Sequence, residues 1–308
     1  MKKKWLWIYL IGLFLPYIAV LIMGKCGFFK PPAPPEEGVQ IKLYRHESGV
    51  VETLPLEDYL WGVLAGEMPA SYPAEALKAQ VVASYSYLVH RMETVTAHPA
   101  TDFGHEGDVC DDPNHCKAYL SPEEAALKWG EDWLTSAEPA LRGAVEAVAG
   151  QRLTYKGKTA NTVFHAISGG RTEAAADVWG AEIPYLSSVD SHWDAEAAGF
   201  HSTVTVPIDE FIEKVGSAAL GTVTLSEGGS VAKTVIGDKT FTGRELRTLF
   251  GLRSTRFALT VDEKEAVFAV SGYGHQVGMS QYGASVLAAK GYRYQEILEY
   301  YYPGTILE

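Results

Sequence analysis

The sequence predicts an α+β fold for the main part of this protein, built as one domain or as two lobes, after a single N-terminal transmembrane helix. Three observations lead to this prediction. The 308-residue chain is 47% hydrophobic and 21% charged, as is typical of globular proteins. Its apolar residues follow helical spacing in some stretches and form short strand-like runs in others. An uncharged run of twenty residues, Trp5 to Gly24, precedes all of them.

The N-terminal region is predicted to anchor the protein in the cell membrane. About 20 apolar residues form a helix long enough to cross a bilayer, so 5–24 is assigned as the span and 1–4 as a cytoplasmic tail. The tail contains three lysines, and positive charge before a first span favours the cytoplasmic side. A cleaved signal peptide is the alternative, but the run is long for one and no small-residue cleavage site follows it. The remainder is then extracytoplasmic.

The segment 25–38 is proline-rich and is predicted to be an extended linker, with the domain following at 39–308. The whole chain has 26 basic and 38 acidic residues, a net charge of -12. Residues 1–30 contain five lysines and no acidic residue, so 31–308 carry a net charge of -17. Because no basic field is present to attract a polyanion, nucleic acid is not an expected partner.

Within the domain, strands are predicted in short runs rich in β-branched and aromatic residues. These runs are 39–44, 153–155, 160–166, 185–189, 202–206 and 258–261.

Helices are predicted where apolar residues recur every three to four positions between start and stop signals. Pro69 ends the first helix, since the residue before a proline disfavours helical geometry. Ser121 is a suitable N-cap for the third, with Pro122 and two acids in the first turn. Gly291 and Pro303 end the last two. The predicted helices are Leu56–Met68, Pro73–Met92, a helix from Ser121 toward Trp133, Gln281–Lys290 and Tyr294–Tyr302.

Glu67 is the first candidate for chemistry, in the motif GVLAGEMP (62–69). It is predicted near the C-terminal end of an otherwise apolar helix, where both the helix dipole and burial raise the pKa of a carboxyl group. A raised pKa suits a general acid. The alternative is a surface glutamate at a helix end, and the local pattern alone favours that alternative.

A second motif, GYGHQVGMSQYG (272–283), combines four glycines with His275, Gln281 and Tyr282. Glycines allow close backbone approach, and the side chains offer hydrogen bonds and aromatic surfaces, a mixture that suits a sugar. The alternative is a glycine-rich turn before a helix.

A third motif, FHAISGG (164–170), places His165 at the end of a predicted strand and Ser168 on a glycine turn. A serine hydrolase would need a strand–turn–helix elbow and an acid partner, and the motif shows neither. A lone histidine at a strand end is more often a hydrogen-bonded structural group.

A fourth cluster lies in GHEGDVCDDPNHC (104–116) and contains two thiols and two imidazoles. These are the residue types of a closed, tetrahedral structural zinc site, and a catalytic zinc is less expected because the loop is short and local. A disulfide between the two cysteines is the alternative in an oxidising compartment. The four candidate ligands are His105, Cys110, His115 and Cys116.

Taken in order, several motifs resemble one known family, the stage II sporulation protein D family, over about residues 39–304. The motifs are LEDYL leading into GVLAGEMP, then EALKAQ, FHAISGGRT, SSVDS and GHQVGMSQYGA. Agreement of several motifs in order and spacing is more specific than any one of them. The same family includes amidase-enhancer proteins of the bacterial cell wall.

This resemblance implies a membrane-anchored lytic transglycosylase with a substrate groove. Such an enzyme cleaves peptidoglycan glycan strands between N-acetylmuramic acid and N-acetylglucosamine, leaves a 1,6-anhydro end, and acts on peptide-stripped strands during engulfment in sporulation. The family's catalytic glutamate corresponds to Glu67, and no cofactor is required for the chemistry. Contacts with the substrate are implied for His165, Ser168, His275, Gln281 and Tyr282.

The resemblance further implies stage II sporulation proteins P, an amidase, and M as partners, and it strengthens the expectation of zinc. The alternative function is a non-catalytic glycan-binding module that recruits or stimulates a cell-wall amidase. Tyr85 favours that alternative, because the family usually has an arginine there; Arg91 or Arg171 would have to replace its charge. Gln276 stands where a glycine is common. Stripped glycan is anionic, so this acidic chain is expected to bind it by local stacking and hydrogen bonds.

Overall fold

The computed structural model describes residues 38–94, 107–113 and 115–308. The predicted tail, span and most of the linker lie outside these residues, and so does His105. Among the helices that the structure describes, none combines the length and the apolar composition that a membrane crossing requires. Residues 41–308 form one compact unit.

The first part of this unit contains the helix that carries Glu67. Strands β1 and β3 pair in parallel within a three-stranded sheet, in the order β2-β1-β3. Helix α1 ends at Glu67, two residues before Pro69, and α2 lies against α1 and α4. The elements are β1 (Gln40–Arg45), β2 (Val50–Pro55), α1 (Leu56–Glu67), α2 (Ala74–Thr94), β3 (Val109–Cys110), α3 (Pro122–Trp129) and α4 (Glu131–Val148).

Short strands and irregular segments follow α4. Ser121 begins α3 with a capping box, but Gly130, at a φ of 92°, separates α3 from α4 where one helix was predicted. The next elements are β4 (Leu153–Tyr155), β5 (Lys158–Thr159), β6 (Phe164–His165), α5 (Ala175–Trp179) and a 3₁₀ turn (His192–Glu196).

Residues 201–271 build a second lobe with a hydrophobic core of its own. Two antiparallel three-stranded sheets, β10-β9-β8 and β11-β12-β7, enclose Phe211, Phe250 and Phe268. Thr242 caps α7 with a capping box, and Gly251, in the left-handed conformation, ends that helix. The elements are β7 (His201–Pro207), α6 (Ile208–Val215), β8 (Leu220–Leu225), β9 (Val231–Ile236), β10 (Lys239–Thr242), α7 (Gly243–Phe250), β11 (Phe257–Val261) and β12 (Glu265–Ser271).

The chain then returns to the first core. Strand β13 pairs in parallel with β6, and β14 joins β4 and β5 in a small sheet. Helices α8 and α9 both pack against α2, which places α2 at the centre of the larger core. These last elements are β13 (Met279–Ser280), α8 (Gln281–Ala289), α9 (Tyr294–Tyr301) and β14 (Ile306–Leu307).

The α+β prediction is confirmed, and the structure shows two hydrophobic cores within one compact unit. The strand predicted at 185–189 was wrong, because this segment forms only a turn and isolated contacts. Helix α7 and the sheet β10-β9-β8 were not predicted. β8 is exposed along its whole length, so it has no buried face that would leave a pattern in the sequence. β9 and α7 do bury residues, among them Val231, Leu246 and Phe250, but both elements are short.

Candidate active site at the end of α1

Two glycines on α1 determine what lies beside Glu67. A Cβ atom at Gly62 would overlap the ring of Tyr119, and one at Gly66 would lie 3.0 Å from the Ala118 carbonyl carbon. Because glycine has no Cβ atom, the segment 117–120 can lie directly on the helix, where the Leu120 N–H donates to the Gly62 carbonyl at 3.1 Å. The motif GVLAGEMP is therefore a packing surface as well as the site of an acid.

The Glu67 carboxyl group lies between this segment and α8. The backbone N–H of Ala118 donates to its Oε1 at 2.8 Å, and the Gln281 amide donates to the same carboxyl group. Burial raises the pKa of Glu67, which Lys117 and these two donors partly oppose. The direction expected from the sequence is confirmed, and its main physical cause is burial.

Lys117 is the cation next to Glu67, and sequence reasoning missed it. Its Nζ lies 3.9 Å from the ring centroid of Phe164 and 4.4 Å from that of Tyr87. Burial lowers the pKa of Lys117, and the charge of Glu67 opposes this shift. The pair therefore consists of an acid that favours its protonated form and a cation that stabilises the carboxylate once the proton has left.

Two clefts meet at Glu67, and both are lined by Gly66 and Glu67. The first, about 680 Å³, also contains Trp129 and Trp133 and is called the tryptophan cleft here. The second, about 700 Å³, is lined from the first core by Lys117 and other residues and from the second lobe by α7; it is called the interlobe cleft. Exposed aromatic rings next to hydrogen-bonding groups are suited to stacking on sugar rings.

His165 and His275 lie together in the interlobe cleft, with ring centroids 5.8 Å apart. A Cβ at Gly274 would lie 2.7 Å from the Cβ of His165, so this glycine allows the approach. Burial lowers the pKa of His165 to about 4 and that of His275 well below its usual value. Both rings are neutral at pH 7. His165 donates from Nδ1 to the Val277 carbonyl at 3.1 Å, which leaves Nε2 as a buried acceptor facing no partner in the described chain.

Gln276 occupies the position where a glycine is common, and its φ of 69° explains that preference. A left-handed conformation costs a non-glycine residue roughly 1–2 kcal/mol. Its amide offsets this cost, because Oε1 accepts from the Gly169 N–H and Nε2 donates to the Ile167 carbonyl at 3.0 Å. Each such hydrogen bond contributes about 1 kcal/mol. Gln276 thus joins the second and third motifs.

Asp194 is a second residue that sequence reasoning missed. It is fully buried and accepts from the hydroxyls of Ser191 and Ser280, the latter at 2.8 Å. Ser280 also caps α8 by accepting from the Gly283 N–H at 3.1 Å. Burial raises the pKa of Asp194 to about 7. The aspartate therefore fixes the start of α8 and, through it, Gln281; no local pattern in its sequence signals this role.

The other predicted contact residues lie further from the clefts. Ser168 is fully buried and contacts Ser280 through its backbone N–H at 3.4 Å, so it belongs to the Asp194 network. Tyr282 is half-buried and packs edge-on against Tyr72, with ring centroids 6.5 Å apart. Neither of them is among the described residues that line the two clefts. Of the five predicted contacts, His165, His275 and Gln281 line the interlobe cleft.

Neither arginine considered as a replacement for the missing charge lines these clefts. Arg171 is bound to Ser188, and Arg91 lies 3.5 Å from the Nε2 of His115. Tyr85 itself is half-buried on α2 and packs against the first core. The charge next to Glu67 comes instead from Lys117.

Three of the four predicted metal ligands converge just before Lys117. The ligand atoms of Cys110, His115 and Cys116 all lie within 4.8 Å of one another. The Nδ1 of His115 is 3.3 Å from one sulfur and 3.4 Å from the other, so adjacent His115 and Cys116 do reach a common point. Both cysteines are buried free thiols. Two sulfurs and one imidazole nitrogen are a donor set that suits zinc.

Comparison with known proteins gives matches over most of the chain. The family described as SpoIID, Stage II sporulation protein, matches residues 44–155. Stage II sporulation protein D of Bacillus subtilis (strain 168) is 38% identical over 276 residues, covering 87% of this chain and 78% of that protein. Its counterpart in Bacillus amyloliquefaciens is 35% identical over 89% of this chain and 80% of that protein.

A more distant relative carries a different name. The protein named Amidase enhancer from Bacillus subtilis (strain 168) is 29% identical over 80% of this chain but only 40% of its own length. With identities of 35–38% over most of both chains, the sporulation proteins are the decisive relatives. The chain belongs to the stage II sporulation protein D family.

Proposed function

We propose that this protein is a lytic transglycosylase that cleaves peptidoglycan glycan strands between N-acetylmuramic acid and N-acetylglucosamine. One observation carries the proposal: among the described residues that line the tryptophan and interlobe clefts, Glu67 is the only acid, and it lies where the two clefts meet. An inverting hydrolase uses a second carboxylate to activate water. A lytic transglycosylase needs one group that acts first as acid and then as base.

Each step of this reaction can be assigned to Glu67. The protonated carboxyl group, favoured by its raised pKa, gives its proton to the glycosidic oxygen, which leaves with the bonding electron pair. The resulting carboxylate then takes the proton of the muramoyl 6-hydroxyl as that oxygen bonds to the anomeric carbon. Glu67 ends protonated, and the product carries a 1,6-anhydro ring. Lys117 and the Ala118 N–H stabilise the carboxylate between the two steps.

The products test this proposal directly. Full-length protein in detergent is incubated with peptide-free glycan strands, and the products are analysed by mass spectrometry. We expect fragments that end in 1,6-anhydromuramic acid, which are about 18 Da lighter than the corresponding reducing ends because no water is added. Fragments with reducing ends would instead identify a hydrolase and contradict the proposed step.

A second function is favoured by the relative named Amidase enhancer and by Tyr85. In this alternative, the clefts bind glycan without cleaving it, and the protein recruits or stimulates a cell-wall amidase. It predicts intact strands in the experiment above, together with a faster amidase reaction when the protein is added to intact peptidoglycan. A Glu67→Gln variant would then stimulate the amidase as well as the parent does.

The cellular setting of the proposal follows from the N-terminal sequence and the family. Residues 5–24 would anchor the protein in the cell membrane with the domain outside, acting during engulfment. Stage II sporulation proteins P and M are the proposed partners. Tethering near the wall gives a high effective concentration, so each individual contact with glycan can be weak.

We also propose that Cys110, His115 and Cys116 hold a structural zinc ion, with His105 as the fourth ligand. Zinc would cross-link the loop that leads into Lys117, whose charge acts on Glu67, and into Ala118, whose N–H donates to Glu67. The backbone N–H of Cys110 points to the Cys116 sulfur at 3.3 Å, a contact that favours a thiolate ligand. The ion would act on the fold of this loop and leave the proton transfers to Glu67.

Metal removal distinguishes zinc from a disulfide. We expect about one zinc per purified chain, and a chelator should lower Tm and slow cleavage together because the loop loosens. A reducing agent should change neither. The opposite pattern, with Tm sensitive to reductant and indifferent to chelator, would identify a disulfide between Cys110 and Cys116.

A further inference from the structure

The wall that α7 contributes to the interlobe cleft carries two neighbouring cations. Arg244 and Arg247 are one turn apart on α7, and both line the cleft that contains Glu67. Positions three apart on a helix lie on the same face. Burial lowers the pKa of Arg247, Tyr273 opposes this shift, and the neighbouring charge of Arg244 adds to it, so the two guanidinium groups repel each other.

Neither arginine forms an ion pair in the part of the chain that the structure describes. Arg247 donates from Nε to the Leu252 carbonyl at 3.2 Å, and Arg244 donates to the Val178 carbonyl at 3.4 Å. Glu245, which lies between them, instead accepts from Thr242 in the capping box. Elsewhere, arginines of this acidic protein do pair with carboxylates; examples are Arg45, Arg142, Arg152 and Arg171.

Arg247 is partly buried and Arg244 is exposed. A partly buried cation beside a second cation and without a counter-ion is costly, and an anionic ligand would reduce that cost. The rest of the cleft favours such a ligand. Lys117 adds a third positive charge, and His165 and His275 are neutral. Glu67, the one acid among the described residues that line this cleft, has a raised pKa. The cleft is therefore electropositive within a chain whose net charge is -12.

We propose that Arg244 and Arg247 bind the free lactyl carboxylate of a muramoyl residue and thereby select glycan strands from which the stem peptides have been removed. The assignment rests on the proposed function of the Glu67 site. In intact peptidoglycan the lactyl group is joined to the peptide by an amide bond and carries no charge at that position. A guanidinium fork binds a carboxylate through two parallel hydrogen bonds, whereas an amide offers it a single neutral acceptor. Local positive charge, in addition to stacking, then explains how an acidic protein binds an anionic strand.

The test compares two forms of one glycan. Peptide-free oligosaccharides are used either with free lactyl carboxylates or after those carboxylates are converted to methylamides. Binding is measured by calorimetry with full-length Glu67→Gln protein in detergent, so that no cleavage occurs. We expect this parent to prefer the free carboxylate, and the preference to weaken at high salt. Chitin oligosaccharides, which lack the lactyl group, serve as a second neutral ligand.

Variants made in that parent locate the preference. Arg244→Gln and Arg247→Gln should each weaken binding of the carboxylate form about tenfold and leave binding of the amide form unchanged. Arg247→Lys should keep only part of the affinity for the carboxylate form, because lysine lacks the guanidinium fork. Lys233→Gln is the matched control, because Lys233 is an exposed cation of the same lobe outside the cleft.

The amide form also controls for folding, since a misfolded variant would lose both ligands. An unchanged preference in the Arg244→Gln, Arg247→Gln double variant would overturn the inference, even if wild-type protein cleaves glycan. Conversely, a lost preference in a protein that leaves strands intact would reject the transglycosylase and retain the carboxylate site.

Discussion

Full-length protein with the substitution Glu67→Gln is expected to cleave peptide-free glycan about 10²–10⁴-fold more slowly than wild type. Glutamine has nearly the same shape and can still accept from the Ala118 N–H, but it has no proton to give to the glycosidic oxygen. The measurement is the rate at which 1,6-anhydro ends appear. Glu57→Gln is the matched control, because Glu57 is an exposed glutamate on the same helix, α1.

The stability of this variant separates lost chemistry from lost folding. Burial raises the folded pKa of Glu67 above its unfolded value, so the folded state holds the proton more tightly than the unfolded state. The stability this provides is complete below the unfolded pKa and is lost as the pH rises through the folded pKa. Glutamine has no ionised form and escapes that loss. We therefore expect the Tm of Glu67→Gln at pH 7 to equal or exceed that of wild type; normal cleavage by this variant would rule out Glu67 as the acid.

The substitution Lys117→Met is expected to have the second largest effect and to change the pH dependence of cleavage. Without the lysine charge, the Glu67 carboxylate is less stable, so the pKa of Glu67 rises further. Because kcat/KM requires protonated Glu67, activity falls as the pH rises through this pKa. The alkaline limb of the profile should therefore move to higher pH in the variant.

The maximal rate of Lys117→Met should fall by about 10²-fold, because the carboxylate formed in the first step loses its stabilising cation. Methionine keeps the apolar contacts with Phe164 and Tyr87, so the fold should persist. Lys158→Met, at an exposed position on β5, provides the comparison. An alkaline limb that stays in place or moves to lower pH would show that Lys117 does not act on Glu67.

Together these substitutions test whether the protein can cleave glycan although it has Tyr85 where the family usually has an arginine. The family's usual arginine is absent from α2, yet a cation stands next to the glutamate, supplied by the loop that follows the cysteine cluster. If zinc holds that loop, chelation and Lys117→Met should both slow cleavage. Only chelation should also lower the stability of the fold.

The local sequence determined those features that depend on near neighbours along the chain. The α+β class, α1 with its end before Pro69, the cap at Ser121 and the order of the family motifs all follow from short-range patterns. The direction of the Glu67 pKa shift also follows from its local pattern, but that pattern alone favoured a surface glutamate, and the family resemblance singled out Glu67 as the acid. Helix periods, caps and proline restrictions act within a few residues, so a sequence window contains the whole cause.

Tertiary structure alone decided which distant groups meet Glu67. Lys117 and Ala118 lie about fifty positions along the chain from it, and Gln281 lies more than two hundred positions away. Asp194 comes from another segment again, and the arginines of α7 come from the second lobe, which has its own core. These contacts arise because two glycines admit a loop onto α1 and because α8 returns to pack on α2. Packing of this kind depends on the shapes of surfaces brought together by the whole fold, and no pattern within one segment records it.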